Sequence, residues 1–521
     1  MIQMYRFYAI VLGCLILASC QNQVEKKPNI LFAIADDASY PHMSAYGTKW
    51  INTPGFDYVA ANGLLFNRAY TTNAKCAPSR ATILTGRNSW LLEEACNHWP
   101  YFPEKFKTFT EVLPEVGYYV GYTAKGWAPG KAIRNGQPRD LIGKSFNQHQ
   151  LQPPADHISK NDYARNFEAF LDSAPEEAPW FFWYGSTEPH REYQYGIGLS
   201  TRNIEDIDSV PPYWPDNDTV RTDMLDYAFE IEYFDGHLQQ MIQVLRDRRE
   251  LENTVIVVTA DNGMPFPRVK GQVYESDHHL PLAMMWPRGI QDPGRVIDEI
   301  ISFSDFAPTF LELADVDRES SGMQPFSGLS LMPILEDDDI HQPLHEYMIV
   351  GKERHDVGRP GDVGYPVRGI IRDDYFLVIN FEPERWPAGN PETGYLNCDG
   401  SPTKSTILNL HRQQDHNQFW TACFGIRPEE ELYRISEDPY CMNNLANDPE
   451  LSFVKMQMKD QLIQQLSREG DPRVLGNGAI FDTYLDASPM SDFYTRWQSG
   501  EELDPGWVNT TDFENIALIK D

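Results

Sequence analysis

Residues 29–37 read Asn-Ile-Leu-Phe-Ala-Ile-Ala-Asp-Asp, an apolar run that ends in two carboxylates. An apolar run of this length is typical of a buried strand. Three more short apolar runs, at 118–123, 180–184 and 254–260, alternate with stretches of helical pattern. This alternation predicts an α/β fold in which helices cover a large, mostly parallel sheet.

Polar side chains follow each of these runs. They are Asp36 and Asp37 after the first run, Lys125 after the second, His190 after the third, and Asp261 and Asn262 after the fourth. In an open α/β sheet, ligands bind beyond the carboxyl ends of the strands. One such run alone would be explained by a solvated loop, but four together indicate an active site at one edge of the sheet.

The length of 521 residues allows a large α/β domain and a smaller appended one. The residue composition changes near residue 370, where a possible strand at 375–379 leads into a section rich in Pro, Gly and Asn. An amphipathic helix is expected at 450–468. We therefore expect a catalytic domain at 29–370 and a C-terminal α+β subdomain at 371–521.

The N-terminus has the pattern of a targeting segment. Arg6 precedes an apolar stretch that is too short to span a bilayer, and the stretch ends in Leu17-Ala18-Ser19-Cys20, which resembles a bacterial lipobox. The resemblance implies a lipoprotein signal peptide at 1–19, lipidation of Cys20 and a tether at 20–28. The alternative is an ordinary signal peptide. We expect the protein to be anchored in the outer membrane of a Gram-negative bacterium, facing the periplasm, and to contact the membrane only through the lipid.

The formal net charge is −32, from 44 basic and 76 acidic residues. This balance argues against a nucleic-acid partner, because nothing neutralises phosphates in bulk. A polyanionic substrate would need a local basic pocket that works against the field of the whole protein. Chain ends or short oligosaccharides are therefore favoured over internal positions of a long polymer.

The segment Lys75-Cys76-Ala77-Pro78-Ser79-Arg80 leads into Ala81-Thr-Ile-Leu-Thr-Gly-Arg87. Pro78 suits a first helical turn, and a helix start offers free N–H groups to an anion. Arg80 adds a planar cation suited to sulfate or phosphate oxygens. We expect Cys76 to have a lowered pKa there. The alternative is a buried cysteine beside a helix cap.

The pattern Cys76-x-Pro78-Ser79-Arg80, continued through Thr85-Gly86-Arg87, resembles the maturation signature of the type I sulfatases. The resemblance extends from Pro28 to about residue 450. It implies an alkaline-phosphatase-like sulfatase fold. It also implies that a separate maturation enzyme, the formylglycine-generating enzyme, oxidises Cys76 to formylglycine.

The same resemblance implies the composition of the site. Its metal ligands would be Asp36, Asp37, Cys76, Asp261 and Asn262. The carboxylates and the amide among them offer oxygen, which suits Ca²⁺, the ion that the family implies, with Mg²⁺ as the alternative. The other catalytic residues would be Arg80, Lys125, His190 and Lys270. A hydrated formylglycine would attack sulfur, Arg80 and the lysines would neutralise charge on sulfate, and His190 would protonate the leaving group.

The segments Asp261-Asn-Gly-Met-Pro-Phe-Pro267 and Thr187-Glu-Pro-His190-Arg191 resemble the N-sulfoglucosamine sulfohydrolase branch. That broad branch also includes enzymes that act on algal polysaccharides such as ulvan. One position departs from the family pattern, because Trp127 stands two residues after Lys125, where many sulfatases have a histidine. His149, His278 and His355 are the candidates to replace that histidine.

A local basic cluster lies in this acidic chain, at Arg354, His355, Arg359 and Arg368. We predict that Arg354 and His355 bind the substrate, and the alternative is surface charge in a loop. Trp386 and Tyr395 could flank a sugar or pack in the core. Cys398 and Cys423 are the preferred disulfide pair, since an exported protein can keep disulfides.

We therefore expect an exo-acting sulfatase of sulfated carbohydrate, with ulvan oligosaccharides as one substrate. The first alternative is N-sulfoglucosamine sulfohydrolase activity on heparan-type glycans. A second is a formylglycine-dependent phosphodiester or phosphonate hydrolase. A third, from another class, is a lipid-anchored carbohydrate-binding protein with an inactive site.

Overall fold

The computed structural model describes residues 26–336, 342–413 and 417–515. The signal peptide expected at 1–19, the lipidation site Cys20 and most of the tether lie outside the described residues. Within the described ranges, no helix combines the length and the apolar character needed to cross a membrane.

The strands of the described residues follow in chain order. They are β1 (Asn29–Ala35), β2 (Leu64–Tyr70), β3 (Tyr101–Phe102), β4 (Tyr119–Ala124), β5 (Lys131–Arg134), β6 (Gln137–Pro138), β7 (Lys144–Ser145), β8 (Trp180–Gly185), β9 (Thr254–Ala260), β10 (His279–Met285), β11 (Arg295–Ile297), β12 (Ile301–Ser302), β13 (Tyr347–Lys352), β14 (Val367–Arg372), β15 (Tyr375–Asn380) and β16 (Glu430–Arg434).

The large sheet has the strand order β11-β2-β10-β9-β1-β8-β4-β7, with β12 on the edge of β2. The four apolar runs of the sequence form β1, β4, β8 and β9, which are neighbours and mutually parallel. Only β10 runs antiparallel to its neighbours, β2 and β9. The prediction of a large, mostly parallel sheet is confirmed.

The α-helices of the described residues also follow in chain order. They are α1 (Pro54–Ala61), α2 (Cys76–Thr85), α3 (Phe109–Val112), α4 (Tyr163–Ser173), α5 (Asp218–Asp247), α6 (Glu275–His278), α7 (Phe306–Leu313), α8 (Met332–Glu336), α9 (Pro402–Gln413), α10 (Gln418–Phe424), α11 (Ser452–Glu469), α12 (Ile480–Thr483) and α13 (Phe493–Gln498).

Helices bury both faces of the large sheet. Successive side chains of a strand point to opposite faces, and β1 shows this division. Leu31 and Ala33 pack in the core formed with α1, α4 and α5. Phe32 packs on the other face, in the core formed with α2, α3 and α7. Because both faces are covered, β1 is apolar along its whole length, and polar groups can appear only at its ends.

A second, antiparallel sheet has the order β13-β14-β15-β16. It begins at Tyr347, and the expected domain boundary at residue 370 falls inside its second strand, β14. The expected helix at 450–468 is confirmed as α11, and it packs on this sheet through Met458, Leu462 and Leu466.

Arg368 of β14 is fully buried, so it is not part of a surface basic cluster. Its guanidinium group donates to Asp471 at 2.7 Å and to Glu353 at 2.8 Å. Arg359 is also buried and donates to the main-chain oxygen of Trp386. These arginines hold the loops around the antiparallel sheet. The described residues from 347 to 515, which contain this sheet, are called the second structural unit, or second unit, below.

Replacing Arg368 with Met is expected to destabilise the protein by about 3–5 kcal/mol, because the carboxylates of Asp471 and Glu353 stay buried without this partner. Urea unfolding followed by tryptophan fluorescence measures the change. Arg372→Met on the same strand is the control, since Arg372 pairs with the exposed Asp373. Equal effects of the two substitutions would contradict the role assigned to Arg368.

Candidate active site

Two neighbouring strand ends bring the predicted acidic residues together. Strands β1 and β9 are in parallel register, with Ala35 opposite Ala260. The next residues, Asp36 and Asp261, are therefore neighbours. Asp37 has φ 76°, a left-handed conformation that Asp tolerates better than most residues. Its main-chain N–H donates to Asp261 Oδ1 at 3.1 Å, which ties the two strand ends together.

Helix α2 begins at Cys76 and points its first residue at these carboxylates. Cys76 Sγ lies 3.8 Å from Asp37 Oδ1, and the side chain is 1% exposed. The expectation of a lowered thiol pKa is wrong. Burial raises the pKa of Cys76, and the negative charges of Asp36, Asp261 and Asp37 raise it further, against the opposing effect of Lys125.

Two cations neutralise the carboxylates from the side of α2 and β4. Arg80 Nε donates to Asp261 Oδ2 at 2.7 Å, and Arg80 Nη1 donates to the main-chain oxygen of Lys125 at 2.9 Å. Lys125 Nζ lies 2.6 Å and 2.7 Å from the two carboxylate oxygens of Asp36. Burial would raise the pKa of Asp36, but Lys125 and the other nearby cations hold it below its ordinary value.

Lys270 and His190 close the opposite side of the site. Lys270 Nζ lies 2.7 Å from Asp37 Oδ2 and 2.8 Å from Asp399 Oδ2. His190 Nδ1 lies 2.7 Å from the main-chain oxygen of Arg191. A carbonyl oxygen only accepts, so Nδ1 carries a proton. Nε2 therefore faces the site, 3.9 Å from Asp37 Oδ2.

The residues present fit a divalent cation. Carboxylate oxygens of Asp36 and Asp261 and the sulfur of Cys76 lie within 4.8 Å of one another. Asn262 Nδ2 donates to Asp37 Oδ1 at 2.7 Å, while Asn262 Oδ1 is buried with no hydrogen-bond partner. An unpartnered buried amide oxygen beside clustered carboxylates is the donor set that Ca²⁺ and Mg²⁺ take in proteins.

The two residues predicted to bind substrate are buried inside the protein. His355 is fully buried, with Nε2 at 2.7 Å from Asn73 Oδ1 and Nδ1 at 3.2 Å from the main-chain oxygen of Gly271. This arrangement leaves neither ring nitrogen for a substrate. Arg354 is 2% exposed and donates through Nη1 to the main-chain oxygen of Tyr484. Its role in substrate binding stays a prediction.

Trp127 occupies the position where the family pattern has a histidine. Its Nε1 donates to the main-chain oxygen of Ala77 at 3.1 Å, so the indole packs against the start of α2. His278, one candidate replacement, is fully buried and bonds through Nδ1 to the main-chain oxygen of Thr71. Burial lowers the pKa of His278 to about 4. Among the described residues, His149 makes hydrogen bonds only through its main chain. Its N–H donates to Asn166 Oδ1, and its carbonyl oxygen accepts from Asn166 Nδ2 and from the N–H of Asp162.

Two acidic side chains near the site, Asp399 and Asp356, were not found from the sequence. Asp399 pairs with Lys270, and Asp356 pairs with Lys75 at 2.9 Å and with His98 at 3.0 Å. Asp399 is 129 positions from Lys270 in the chain. No local pattern marks such residues, because the folding of the second unit alone brings them to the sheet edge.

A cavity of about 780 Å³ opens beside Lys125. Aromatic side chains of Tyr122 and Trp127 form part of its wall. Polar side chains complete the lining, among them Asp140, Asn147, Gln150, Asn161 and Thr187. Such a mixture of aromatic and polar groups suits a sugar ring.

Two other predictions have clear outcomes. The disulfide between Cys398 and Cys423 is wrong, because both are buried free thiols. The Cys423 thiol lies 3.4 Å from the main-chain oxygen of Tyr213. Tyr395 is fully buried and accepts a hydrogen bond from Trp420, so it packs in the core. Trp386 is partly buried and packs against the same core.

The fold and the site define a protein suited to binding an anion, with basic side chains and a cluster of carboxylates that could hold a divalent cation at the edge of a parallel sheet. Residues 28–316 match the model of the family described as sulfatase. Since this match covers more than half of the chain, the protein belongs to the sulfatase family and is a sulfuric ester hydrolase.

Individual relatives agree with this assignment. The chain is 26% identical over 510 residues to an ulvan-active sulfatase of Formosa agariphila, covering 89% of this chain and 79% of the relative. It is 25% identical over 504 residues to human N-sulphoglucosamine sulphohydrolase, covering 90% of this chain and 95% of the relative.

A solved structure shares the fold. It contains a protein in complex with its substrate, D-glucosamine-2-N,6-O-disulfate. The TM-score is 0.59 at 20% identity, over 86% of this chain and 99% of that chain. The expected alkaline-phosphatase-like sulfatase fold is confirmed.

Adding a divalent cation to metal-free protein is expected to raise the melting temperature. Binding only to the folded state stabilises it by about 2.7 kcal/mol at a concentration 100 times the Kd. Differential scanning calorimetry with and without Ca²⁺ or Mg²⁺ measures the shift, and Asp261→Asn should abolish it. Asp305→Asn is the control, because Asp305 is equally buried but pairs with His345 outside the site. A shift that survives in Asp261→Asn would contradict the assigned ligands.

Proposed function

We propose that the protein removes sulfate from the ends of sulfated polysaccharide oligosaccharides, ulvan oligosaccharides among them, after Cys76 has been converted to formylglycine. The observation that carries this proposal is the cluster of three cations around Cys76, in which Arg80 and Lys270 are buried and Lys125 is part-buried. A concentration of basic side chains at one point of a protein with a net charge of −32 fits an anionic ligand. Each of the three pairs with a carboxylate here, and a divalent cation bound to the same carboxylates would leave them able to bind a sulfate group.

Two observations support a carbohydrate substrate. The 780 Å³ cavity shares Lys125 with the site and offers aromatic and amide groups to a neighbouring sugar. Two relatives of about 26% identity are named ulvan-active sulfatase, and they cover 89% and 86% of this chain. The burial of Cys76, which is 1% exposed, favours the end of a chain over an internal position.

We assign Ca²⁺ to the site formed by Asp36, Asp37, Asp261 and Asn262, together with residue 76. All four side chains offer oxygen, and Ca²⁺ accepts more oxygen ligands and looser geometry than Mg²⁺. Bound there, the cation would polarise an oxygen of the substrate or of residue 76. Formylglycine would supply a hydrated aldehyde as the nucleophile.

The side chains of this protein then bind and orient the sulfate group. Arg80, Lys125 and Lys270 approach from different elements, so together they neutralise charge on separate sulfate oxygens. His190 holds its ring by the Nδ1 contact to Arg191 and directs Nε2 at the site. We assign Nε2 the proton that the leaving sugar oxygen takes.

The first experiment measures sulfate release by protein that is co-expressed with a formylglycine-generating enzyme. Matched ulvan and heparin oligosaccharides are the substrates, and ion chromatography quantifies sulfate. Release from ulvan oligosaccharides supports the proposal. Release only from N-sulfated glucosamine would instead favour the activity named for the 25%-identical human relative. Faster hydrolysis of aryl phosphate than aryl sulfate esters would favour a phosphodiester or phosphonate hydrolase.

Cys76→Ala is expected to reduce sulfate release by more than about 10³-fold, the scale seen when a catalytic nucleophile is removed. Circular dichroism should show that the variant is folded. Cys96→Ala is the matched control, since Cys96 is a buried thiol packed near Trp90 in a separate core. Near wild-type release by Cys76→Ala would overturn the formylglycine mechanism, and unmodified Cys76 in active protein would do the same.

We further propose that Cys20 carries the lipid that anchors the protein to the periplasmic face of the outer membrane. The support is the lipobox-like sequence that ends at Cys20. Cys20→Ala is expected to move the protein from the detergent-phase to the aqueous fraction in Triton X-114 partitioning of the native host. Cys14→Ala, in the same segment, should leave the partitioning unchanged. Aqueous-phase partitioning of the wild-type protein would count against the anchor.

A further inference from the structure

Asp399 reaches the active site from the second structural unit. It follows the 3-10 turn Pro391–Thr393 and precedes α9. One carboxylate oxygen of Asp399, a ring nitrogen of His190 and a carboxylate oxygen of Asp37 lie within 4.8 Å of one another. Asp399 therefore faces the residue assigned to protonate the leaving group.

One oxygen of this carboxylate is free for a ligand. Asp399 Oδ2 accepts a hydrogen bond from Lys270 Nζ at 2.8 Å. Asp399 Oδ1 accepts no hydrogen bond from the described residues. It is also not one of the unpartnered polar atoms that are completely buried, so it keeps some access to solvent. The side chain is 7% exposed, so it is largely enclosed by protein but still open to a ligand group.

The main chain around Asp399 is fixed on both sides. Lys404 Nζ donates to the main-chain oxygens of Cys398 and Gly394, each at 2.8 Å. The N–H of Gly400 donates to the main-chain oxygen of Trp507 at 2.8 Å. A carboxylate held this firmly can discriminate between substituents of a bound sugar, because it does not move away from an unsuitable one.

We propose that Asp399 is a specificity-determining residue that accepts a hydrogen bond from a hydroxyl or ammonium group on the sugar carbon next to the sulfated one. This inference rests on the proposed function. When the leaving oxygen contacts His190, a substituent on the adjacent carbon lies about one hydrogen-bond length further on. The proximity of Asp399 to His190 places the carboxylate at that substituent.

The chemistry of the carboxylate sets what it selects. An ionised carboxylate only accepts hydrogen bonds, and Asp399 is held ionised by Lys270. The adjacent substituent must therefore be a donor. A second sulfate or a carboxylate at that position would be repelled, so the protein would act on sugars in which the neighbouring position is free.

The test compares three methyl glycosides of the monosaccharide that the wild-type protein desulfates in the oligosaccharide assay. They carry a hydroxyl, a hydrogen or a methoxy group on each carbon adjacent to the sulfate. For wild-type protein, kcat/KM for the hydroxyl compound should exceed that for the other two by roughly 10- to 150-fold at one of the adjacent carbons, as expected for a hydrogen bond to a charged group.

Asp399→Ala should bring that ratio close to one, and Asp399→Asn should give an intermediate ratio, because its amide oxygen still accepts. Asp356→Asn is the matched control. Asp356 is a second buried carboxylate of the second unit, and it pairs with Lys75, the residue before Cys76. Its variant should keep the wild-type ratio. Melting temperatures check that each variant is folded.

A different pattern would overturn the inference. If Asp399 only positions Lys270, Asp399→Ala will slow all three glycosides equally and leave the ratio unchanged. A wild-type ratio near one at both adjacent carbons would also overturn it. If the wild-type protein releases no sulfate from any sugar, the proposed function itself fails, which is a separate result from an unchanged ratio.

Discussion

Three buried carboxylates at the ends of two neighbouring parallel strands are the constraint on which the rest of the structure depends. Asp36, Asp37 and Asp261 are at most 1% exposed. Burying one ionised carboxylate without a partner costs several kcal/mol, so each of them needs a cation or a metal. Arg80, Lys125 and Lys270 come from three different segments to meet this need. The carboxylates thus determine where the helix start, the end of β4 and the following loop must lie.

The same constraint explains why the second structural unit is part of the site. Lys270 and Lys75 are buried lysines that require acidic partners, and the second unit supplies Asp399 and Asp356. Alternating charges therefore run from Asp37 through Lys270 to Asp399. The antiparallel sheet and its arginine-linked loops hold these acids in place, so stability of the second unit and geometry of the site are coupled.

An acidic protein that binds a sulfated anion needs a binding site in which the negative electrostatic field of its surface does not dominate. The net charge of −32 belongs to the whole chain, whereas the cations that meet at Cys76 are buried or, in the case of Lys125, part-buried. Interactions inside the protein are screened far less than those at the surface. The buried pocket can therefore bind a sulfate group while the surface repels long polyanions, which is consistent with action at chain ends.

The sequence by itself determined the four central strands, the polar residues that follow them and the helix that begins at Cys76. These features are local. An apolar run closed by carboxylates, or a Pro and Arg just after a cysteine, is formed by consecutive residues and can be recognised without knowing the tertiary structure. The sequence also placed Lys270 and His190 through their resemblance to family motifs.

Only the tertiary structure decided the direction of the Cys76 pKa shift, the burial of His355 and the position of Asp399 in the active site. A helix start favours a thiolate, but three carboxylates around Cys76 and complete burial reverse that preference. His355 stands in a basic stretch of sequence, yet its ring nitrogens bind Asn73 and Gly271 from distant segments. Such contacts join residues far apart in the chain. Their energies depend on burial and on neighbours, and no local pattern of residues encodes either.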